Sequence, residues 1–381
     1  MKVLHIITGL GDGGAEAVLF RLCTYDNTVE HIVISLMGPG KYGPLLEKRS
    51  VKVYSLGMRP NRLSVSTILE VHRILRNLRP DIIQGWMYHG NLIGSLISVF
   101  AKRSRLYWGI RHSELDTSKI SKSTLFVVRL LSFLSRRSPS GIVYCAHAAR
   151  KSHEQLGFAK VKGVVAQNGY DLAKFSPSDC FRNEIRAELG IGESDLLLGT
   201  VARWHPDKDH QTLFEAARSV LQKIPSARFI LVGEGMNQDN EELLGALDQF
   251  GVKNAFILLG RRNDIPKVMN SVDLHVLSSS TEAFPNVLAE AMSCGTPCVS
   301  TNVGDAQEIV GKTGWVVPKS DPSHLAKAII DALESSKSAN FEARRKSARD
   351  RIQALFSMES MINKYHQIWS MELSSGRSIG N

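Results

Sequence analysis

Two glutamates lie eight residues apart in the stretch Ser280-Thr281-Glu282-Ala283-Phe284-Pro285-Asn286-Val287-Leu288-Ala289-Glu290-Ala291. Proline has a fixed φ and no N–H, so Pro285 favours the first turn of a helix. Strong helix formers follow it, and Gly295-Thr296-Pro297 indicates where the helix ends. Glu282 is therefore expected in the loop before a short helix, with Glu290 more than one turn into it.

The beginning of such a helix is suited to bind an anion, because its first N–H groups lack intrahelical acceptors and the helix dipole attracts negative charge. Glu282 and Glu290 would flank that anion with carboxylates that accept hydrogen bonds from hydroxyl groups. The stretch therefore predicts a site for a nucleoside diphosphate sugar, in which one glutamate contacts the sugar and the other the ribose. The alternative interpretation is an ordinary surface helix with two solvated glutamates.

Short apolar runs alternate with amphipathic segments on both sides of this stretch, a pattern typical of parallel sheets covered by helices. The first series of predicted strands comprises residues 3–8, 31–36, 51–56, 82–84, 106–109, 141–144 and 164–166. The second comprises residues 196–201, 228–232, 255–258, 274–277, 297–300 and 314–317. We therefore expect an α/β protein with two doubly wound, Rossmann-like domains that face each other across a cleft.

The chain has 381 residues, too many for one typical core. A segment rich in turn residues separates the two series of strands. We predict an N-terminal domain at residues 1–168, a hinge at 169–177 and a C-terminal domain at 178–355. A final helix at 356–373 has apolar residues at helical spacing, and it either caps the second domain or packs on the first.

The bulk composition indicates a globular chain, with 43% hydrophobic and 22% charged residues. No apolar run reaches the roughly 20 residues of a membrane span, and residues 2–9 are typical of a buried strand rather than a signal peptide. Five scattered cysteines without a C-x2-C pair argue against a disulfide framework and a zinc site. We expect a soluble protein of the cytoplasm.

Basic residues are concentrated in the first half of the chain. Residues 1–170 contain 24 Lys and Arg against 10 Asp and Glu, whereas the remainder contains 23 against 27. The first half is thus expected to contact a phospholipid surface, a pyrophosphate-linked lipid or a nucleic acid. Because no nucleic-acid-binding motif is present, lipid is preferred. Residues 120–137, apolar with cations and no acid, fit an interfacial helix and a helix packed on the first sheet equally well.

Two further cations follow a predicted strand of the second series, in Arg203-Trp204-His205-Pro206-Asp207-Lys208. Open α/β sheets bind ligands at the carboxyl ends of their strands. There Arg203 and Lys208 would neutralise a diphosphate. Lys208 also separates two aspartates that would otherwise form a metal motif, so we expect neither a metal nor another cofactor.

Gly9-Leu10-Gly11-Asp12-Gly13-Gly14 fits the G-x-G-x-x-G pattern of dinucleotide-binding domains. That function requires an acidic residue about 20 positions further on, at the end of the second strand. The second strand ends in Ile34-Ser35-Leu36-Met37 without a carboxylate, which argues against NAD binding. Glu16 suits the first turn of the helix that follows the loop.

Together these segments resemble the retaining family-4 glycosyltransferases of the GT-B fold, over nearly the whole chain. The glutamate pair is similar to the E-x7-E signature, and residues 202–208 are similar to the G-R-x4-K element, with Ala202 in place of the usual glycine. The resemblance implies catalytic roles for Glu282, for His89 beside the sugar, and for Arg203 and Lys208 on the departing phosphate. The donor-binding residues that it implies are Gly13, Gly14, Gly233, Arg261, Phe284, Asn286, Val287 and Glu290.

The resemblance extends to residues outside the donor motifs. Arg111 and His112 occupy a loop that would contact the acceptor or the donor. Residues 169–177 are similar to the family's hinge, and the terminal helix corresponds to one that crosses back onto the first domain.

The function implied is retaining transfer of a hexosyl unit from a nucleoside diphosphate sugar, by front-face attack and without a metal ion. The preferred acceptor is a polyprenyl-pyrophosphate-linked glycan of surface polysaccharide biosynthesis, such as O-antigen, capsule or exopolysaccharide. Peripheral contact with the inner face of the cell membrane would follow. The alternatives are a nucleotide-sugar epimerase of the same fold and a non-catalytic nucleotide-sugar-binding or membrane-binding protein.

Overall fold

The computed structural model describes residues 1–58, 65–112, 121–192, 195–336 and 340–371. The chain divides into two compact units, of which unit 1 comprises Met1–Gly169 and the residues from Met358 onwards, and unit 2 comprises Tyr170–Ser357. The division falls within the predicted hinge, so that residues 170–177 lie in unit 2. Each unit is a parallel sheet with helices, which confirms the predicted α/β class with two doubly wound sheets.

The sheet of unit 1 has seven parallel strands, β1 (Lys2–Ile7), β2 (Glu30–Ser35), β3 (Lys52–Ser55), β4 (Ile82–Trp86), β5 (Arg105–Ile110), β6 (Gly141–Tyr144) and β7 (Gly163–Val165). Their spatial order is β3-β2-β1-β4-β5-β6-β7, so the chain begins inside the sheet and winds in both directions. The central strands are apolar and buried, as expected for strands covered on both faces.

The helices of unit 1 are α1 (Gly14–Tyr25), α2 (Tyr42–Glu47), α3 (Val65–Leu78), α4 (Met87–Ser98), α5 (Lys122–Leu134) and α6 (His147–Gln155). Ser121 caps α5 by accepting a hydrogen bond from the Thr124 N–H, which satisfies one of the unpaired donors at the helix start. Ile120, the first residue of the predicted apolar segment, lies outside the described residues.

Unit 2 repeats the arrangement with six parallel strands, β8 (Leu197–Val201), β9 (Arg228–Val232), β10 (Phe256–Gly260), β11 (Leu274–Leu277), β12 (Cys298–Thr301) and β13 (Trp315–Val317). Their order is β10-β9-β8-β11-β12-β13. Its helices are α7 (Asp179–Glu188), α8 (His210–Lys223), α9 (Glu241–Gln249), α10 (Ile265–Ser271), α11 (Asn286–Ser293), α12 (Ala306–Val310), α13 (Pro322–Ser335) and α14 (Asn340–Leu355).

The last helix, α15 (Met358–Ser370), is part of unit 1. Tyr365 and Trp369 are fully buried there, and the Trp369 indole N–H donates a 3.1 Å hydrogen bond to the side chain of Gln84. The helix therefore completes the core of unit 1 from the far end of the chain.

Every predicted strand is present, with its ends displaced by at most two residues. Among the described helices, none combines the length and the apolar character needed to cross a membrane.

Candidate functional site

The predicted site residues of unit 2 meet at one edge of its sheet. Arg203 and Lys208 follow β8, Gly233 follows β9, Arg261 follows β10 and Glu282 follows β11. These four strands are neighbours in the order β10-β9-β8-β11, and the carboxyl ends of parallel strands lie at the same edge. The strand order thus gathers segments that lie up to about 80 residues apart in the sequence into one site.

Lys208 and Glu282 form an ion pair at this edge. The ammonium group of Lys208 lies 2.5 Å from Glu282 Oε1, and the Ser279 hydroxyl donates to the same oxygen at 2.9 Å. Both side chains are partly exposed, with 20% and 16% of their surface accessible. A cation and a carboxylate are therefore held side by side before any ligand binds.

Hydrogen bonds between the two loops keep this pair in register. The N–H and the hydroxyl of Ser280 both donate to the Asp207 carbonyl, and the Ser278 hydroxyl donates to the Lys208 carbonyl at 2.9 Å. Thr301, at the end of β12, donates to the Ser279 carbonyl at 2.7 Å. These short polar residues were not predicted as part of the site, although a run of serines after a strand is a signal that could have indicated them.

Gly304 lies directly beneath the loop that carries Glu282. Its φ is +54°, and a Cβ there would lie 2.3 Å from the Ala283 carbonyl oxygen and 2.5 Å from that of Glu282. The N–H of Asp305 donates to the same Ala283 carbonyl. Only glycine permits this close approach, so Gly304 is a positioning residue that the sequence analysis missed.

Helix α11 begins at Asn286, and Pro285 stands just before it rather than in its first turn. The N–H groups of Asn286 and Val287 lie in that first turn, where intrahelical acceptors are lacking. The hydroxyl of Tyr170 donates a 2.5 Å hydrogen bond to the side-chain oxygen of Asn286. Glu290 is partly exposed on the second turn of the helix.

The other end of α11 is tied to the predicted hinge by Arg349. Its guanidinium donates to the Ser293 carbonyl in the last turn of α11, and also to the carbonyls of Leu172 and Phe175. The first turn of α11 is thus hydrogen-bonded to Tyr170, and its last turn is linked through Arg349 to Leu172 and Phe175. The position of the helix therefore depends on the hinge segment.

Arg203 is exposed at the same edge of the sheet, as is Arg261. The Arg203 carbonyl accepts a 3.1 Å hydrogen bond from Nε2 of His210, whose ring stacks on Trp204 with 5.2 Å between centroids. This hydrogen bond anchors the backbone of Arg203, whose side chain is otherwise exposed.

Gly233 provides the close contact between the loops after β8 and β9. A Cβ on this residue would lie 2.0 Å from the Ala202 carbonyl oxygen, and its N–H donates to the Gly260 carbonyl at 2.8 Å. Ala202, which replaces the usual glycine, is accommodated because Gly233, the residue packed against its carbonyl, has no side chain. Gly233 is thus required for backbone packing, and its contact with the donor stays a prediction.

Phe284 has a mainly structural environment. Its side chain is 5% exposed and packs edge-on against Phe356, with 5.6 Å between ring centroids. The ring stabilises the segment before α11 from the inside, and a donor contact by this residue remains a prediction.

The glycines of unit 1 lie where the sequence placed them. Gly13 precedes α1 and Gly14 begins it. A Cβ on Gly13 would lie 2.3 Å from the Glu16 carboxylate, which is folded back over the helix start. Burial raises the pKa of Glu16, whose place in the first turn agrees with the structural role expected for it.

His89 lies in the first turn of α4, immediately after β4. Burial lowers the pKa of this half-buried imidazole, so it is neutral at pH 7. Met87, at the junction, has a φ of +63°, an uncommon conformation for a residue with a side chain. The turn from β4 into α4 is therefore tighter than an ordinary strand–helix connection.

Arg111 points into unit 1. Its guanidinium donates to the side-chain oxygen of Asn168 at 2.5 Å and to the hydroxyl of Tyr365, and it lies over the ring of Trp86 at 4.9 Å. These contacts hold both terminal nitrogens of the guanidinium within unit 1, which favours a structural role over the predicted acceptor contact. His112 is exposed and stacks on Tyr88, with 5.6 Å between centroids.

One group in the described part of the chain has side chains spaced as metal ligands, namely His5, Cys23 and His31 in the core of unit 1. The Trp86 indole donates to Nδ1 of His5, whose Nε2 lies 2.9 Å from Nδ1 of His31. Both nitrogens of His5 and Nδ1 of His31 therefore already take part in hydrogen bonds, which opposes their use as metal ligands. Burial also raises the pKa of the Cys23 thiol, which opposes formation of the thiolate ligand.

Comparison with known proteins gives concordant matches. Residues 195–335 match the family model described as glycosyl transferases group 1. The UDP-Gal:alpha-D-GlcNAc-diphosphoundecaprenol alpha-1,3-galactosyltransferase of Escherichia coli is 23% identical over 312 residues, covering 80% of this chain and 79% of its own length. The capsular polysaccharide biosynthesis glycosyltransferase CapM of Staphylococcus aureus is 23% identical over 366 residues, covering 91% and 87%.

The fold is shared with solved structures. HepE of Anabaena, crystallised in complex with UDP, superimposes with a TM-score of 0.84 at 24% identity. The match covers 96% of this chain and 99% of that one. The same protein has also been crystallised with UDP-glucose.

Proposed function

We propose that the chain transfers a hexosyl unit from a nucleoside diphosphate sugar to a glycan with retention of configuration, because residues 195–335 match the group 1 glycosyltransferase model and the fold is shared with GT-B structures. Unit 2 binds the donor and unit 1 binds the acceptor. The product belongs to a surface polysaccharide, in keeping with the relative named for capsule biosynthesis.

The ion pair between Lys208 and Glu282 carries this proposal, since it sets a cation beside a carboxylate in the segment that leads into α11. Negative charge grows on the diphosphate as its oxygen separates from the sugar carbon. Lys208, the exposed Arg203 and the first-turn amides of α11 stabilise that charge, and of these Lys208 and the amides are oriented before the reaction starts. Glu282 accepts hydrogen bonds from the sugar hydroxyls, and Glu290 from those of the ribose.

The bond to the acceptor forms on the face that the diphosphate leaves. The acceptor oxygen joins the sugar carbon, the bond from that carbon to the diphosphate oxygen breaks, and the acceptor's proton passes to the departing phosphate. This route needs no protein nucleophile on the opposite face. Neutral His89 hydrogen-bonds a sugar hydroxyl, while Gly13 and Gly14 let the backbone approach the donor phosphate.

We further propose that the reaction proceeds without a metal ion or another cofactor. Two fixed cations and a helix N-terminus supply the positive charge that a divalent metal supplies in other phosphate-transfer sites. The donor is a UDP-hexose, by analogy with the E. coli relative named for UDP-Gal and with HepE bound to UDP. The acceptor is a polyprenyl-pyrophosphate-linked glycan, supported by the basic first half and by the diphosphoundecaprenol in that relative's name.

A thermal-shift screen with UDP, GDP, ADP, CDP, their sugars and NAD(P) tests the donor site. We expect selective stabilisation by uridine nucleotides that is unchanged by EDTA. Stabilisation by NAD(P) alone would indicate that the Gly9–Gly14 loop binds a dinucleotide and would contradict the proposed function. Loss of the stabilisation by uridine nucleotides in EDTA would contradict metal independence.

The anomeric configuration of the product tests the reaction. With an α-linked UDP-hexose and a synthetic lipid-pyrophosphate acceptor, the anomeric proton coupling in the NMR spectrum should report an α-linkage. A β-linkage would refute retention. A sugar nucleotide epimerised without acceptor would support the epimerase alternative instead.

A further inference from the structure

Exposed apolar side chains are concentrated on one layer of helices in unit 1. Helix α4 packs against both α3 and α5. These helices, together with the residues that follow α4, leave large apolar side chains between 42% and 73% exposed. We call this set the apolar surface, and it consists of Val65, Leu69, Leu96, Val99, Phe100, Phe126 and Phe133.

Helix α5 is apolar on two faces. Val127, Val128 and Leu131 are buried against the rest of unit 1, whereas Phe126 and Phe133 are 68% and 71% exposed. The two phenylalanines are seven residues apart, which places them on the same side of the helix. One face of this segment therefore packs inward, as the second interpretation predicts, while the other face remains uncovered and the interfacial interpretation stays a prediction.

The apolar surface continues from α4 to α3. The ring of Phe100, just after α4, meets His72 of α3 edge-on with 4.9 Å between centroids. Leu69 lies one turn before His72 and is 61% exposed, and Val65 lies one turn further. The exposed residues of α3 and of the end of α4 thus form one patch rather than isolated side chains.

Cations surround this patch. The exposed basic residues of α3, of residues 96–103 and of residues 122–137 are Arg73, Arg76, Lys102, Arg103, Lys122, Arg129, Arg136 and Arg137. The same segments contain one acidic residue, Glu70. On α5, Lys122 and Arg129 share the outward face with the two phenylalanines, so apolar and cationic groups alternate along it.

We propose that the apolar surface docks unit 1 on an anionic lipid bilayer. The phenyl rings enter the boundary between headgroups and acyl chains, and the basic side chains contact lipid phosphates. The inference rests on the proposed function in one respect, since a lipid-linked acceptor would lie in the same bilayer. Docking through three helices exceeds what one amphipathic segment provides, because buried apolar area and charge add over the whole surface.

The charge distribution favours lipid over other partners. A symmetric contact between two copies would place the same eight cations opposite one another, which opposes association. A nucleic acid would neutralise the cations, but its phosphates give no reason for the exposure of Val65 and Leu69. An anionic bilayer accounts for both the charge and the apolar side chains.

Co-sedimentation of the whole chain with vesicles tests the proposal. We expect binding to phosphatidylglycerol–phosphatidylcholine vesicles and little binding to phosphatidylcholine alone. The double variant Lys122→Glu/Arg129→Glu should bind at least roughly 30-fold more weakly, because each basic side chain near an anionic surface contributes about 1 kcal/mol and the new carboxylates are repelled by the lipid. Phe126→Ser/Phe133→Ser should lose at least about tenfold through the apolar contribution.

Arg218→Glu/Lys223→Glu is the matched control, since both residues are exposed on α8 of unit 2. It carries the same change in net charge and should bind vesicles like the unchanged protein. All variants should retain the thermal shift with UDP, which separates docking from the donor site. Absence of vesicle binding, or equal losses in the control, would overturn the proposal. A dimer that only the phenylalanine variant dissociates, without vesicle binding, would assign the surface to a second copy.

Discussion

Lys208 in unit 2 and Arg111 in unit 1 occupy comparable places, because each lies in the loop that follows a parallel strand. The sequence indicated a ligand contact for both. In the structure Lys208 has one charged partner, Glu282, at the edge of the sheet. Arg111 instead divides its donors between Asn168 and Tyr365 and lies against Trp86 inside unit 1.

The difference lies in what each cation would lose by binding a ligand. A phosphate can replace the carboxylate partner of Lys208 at a small cost in free energy, because the ammonium group keeps an anionic partner and the pair is partly exposed. Arg111 would have to give up its hydrogen bonds to the buried, neutral side chains of Asn168 and Tyr365. Position at a strand end therefore makes a cation a candidate, and the partners decide whether it is available.

Loss of Lys208 should give the largest effect on catalysis. Lys208→Ala should reduce turnover by about 100-fold to 1,000-fold, the usual effect of removing one charge-stabilising donor. The free energy of unfolding should change by about 1 kcal/mol or less, because the pair is partly exposed. Steady-state kinetics and urea denaturation measure the two effects, with Lys223→Ala as the control. Near-normal turnover in Lys208→Ala and Glu282→Ala would refute the proposed function.

Loss of Arg111 should act on stability instead. Arg111→Ala should lower the free energy of unfolding of unit 1 by about 3 kcal/mol, because it removes the hydrogen bonds to the buried Asn168 and Tyr365 and the contact with the Trp86 ring. Tryptophan fluorescence during urea denaturation reports this, since Trp86 and Trp369 are buried in unit 1. Arg111→Lys retains the positive charge but not the planar guanidinium with its paired donors, and should recover little of the lost stability. An unchanged unfolding curve with a raised KM for the acceptor would restore the predicted acceptor contact.

Gly304 tests how closely the loop of Glu282 must be held. Gly304→Ala should cost about 1–3 kcal/mol of stability through backbone strain and displaced carbonyls, and turnover should fall with it. The control is Gly190→Ala, where φ is +66° but no atom lies within 4 Å of the added Cβ. Equal effects of the two variants on turnover would show that the contact beneath Glu282 is unimportant.

Buried histidines extend the comparison to the cores of the two units. Their replacement should have the smallest of the expected effects on the free energy of unfolding at pH 7. His275 in β11 is fully buried, and neither ring nitrogen has a hydrogen-bond partner among the described residues. His275→Leu should therefore raise the free energy of unfolding by about 1 kcal/mol at pH 7. His5→Leu should lower it, because the Trp86 indole and His31 would lose their partner.

The pH dependence of the same variants follows from burial, which lowers the pKa of His275 to about 4. Below pH 6.5 the imidazole of His275 is protonated in the unfolded chain, whereas in the folded chain it stays neutral down to about pH 4. This residue therefore makes folding less favourable as the pH falls. The advantage of His275→Leu should grow between pH 6.5 and 4, as measured by urea midpoints. A constant difference across that range would show that His275 is charged when folded or already protected when unfolded.

The strands could be predicted because their signals are local. Apolar runs such as Ile142-Val143-Tyr144 are bounded by turn residues, and β6 has the predicted ends. Lys208 and Glu282 were both identified from motifs, but their ion pair depends on β8 and β11 being neighbours. The serine and threonine bonds, the close approach at Gly304 and the Tyr170–Asn286 bond likewise join distant segments, and no local pattern encodes them.

The sequence by itself determined the α/β class, the two series of strands, the cations and glutamates that form the candidate site and the excess of positive charge in the first half. Each of these is read from neighbouring residues or from composition. Only the tertiary structure decided that Arg111 turns inward, that Gly304 supports Glu282 and that the phenylalanines of α5 remain uncovered. Those outcomes depend on which elements pack together, and packing is set by strand order and burial over the whole chain rather than by the residues of any one segment.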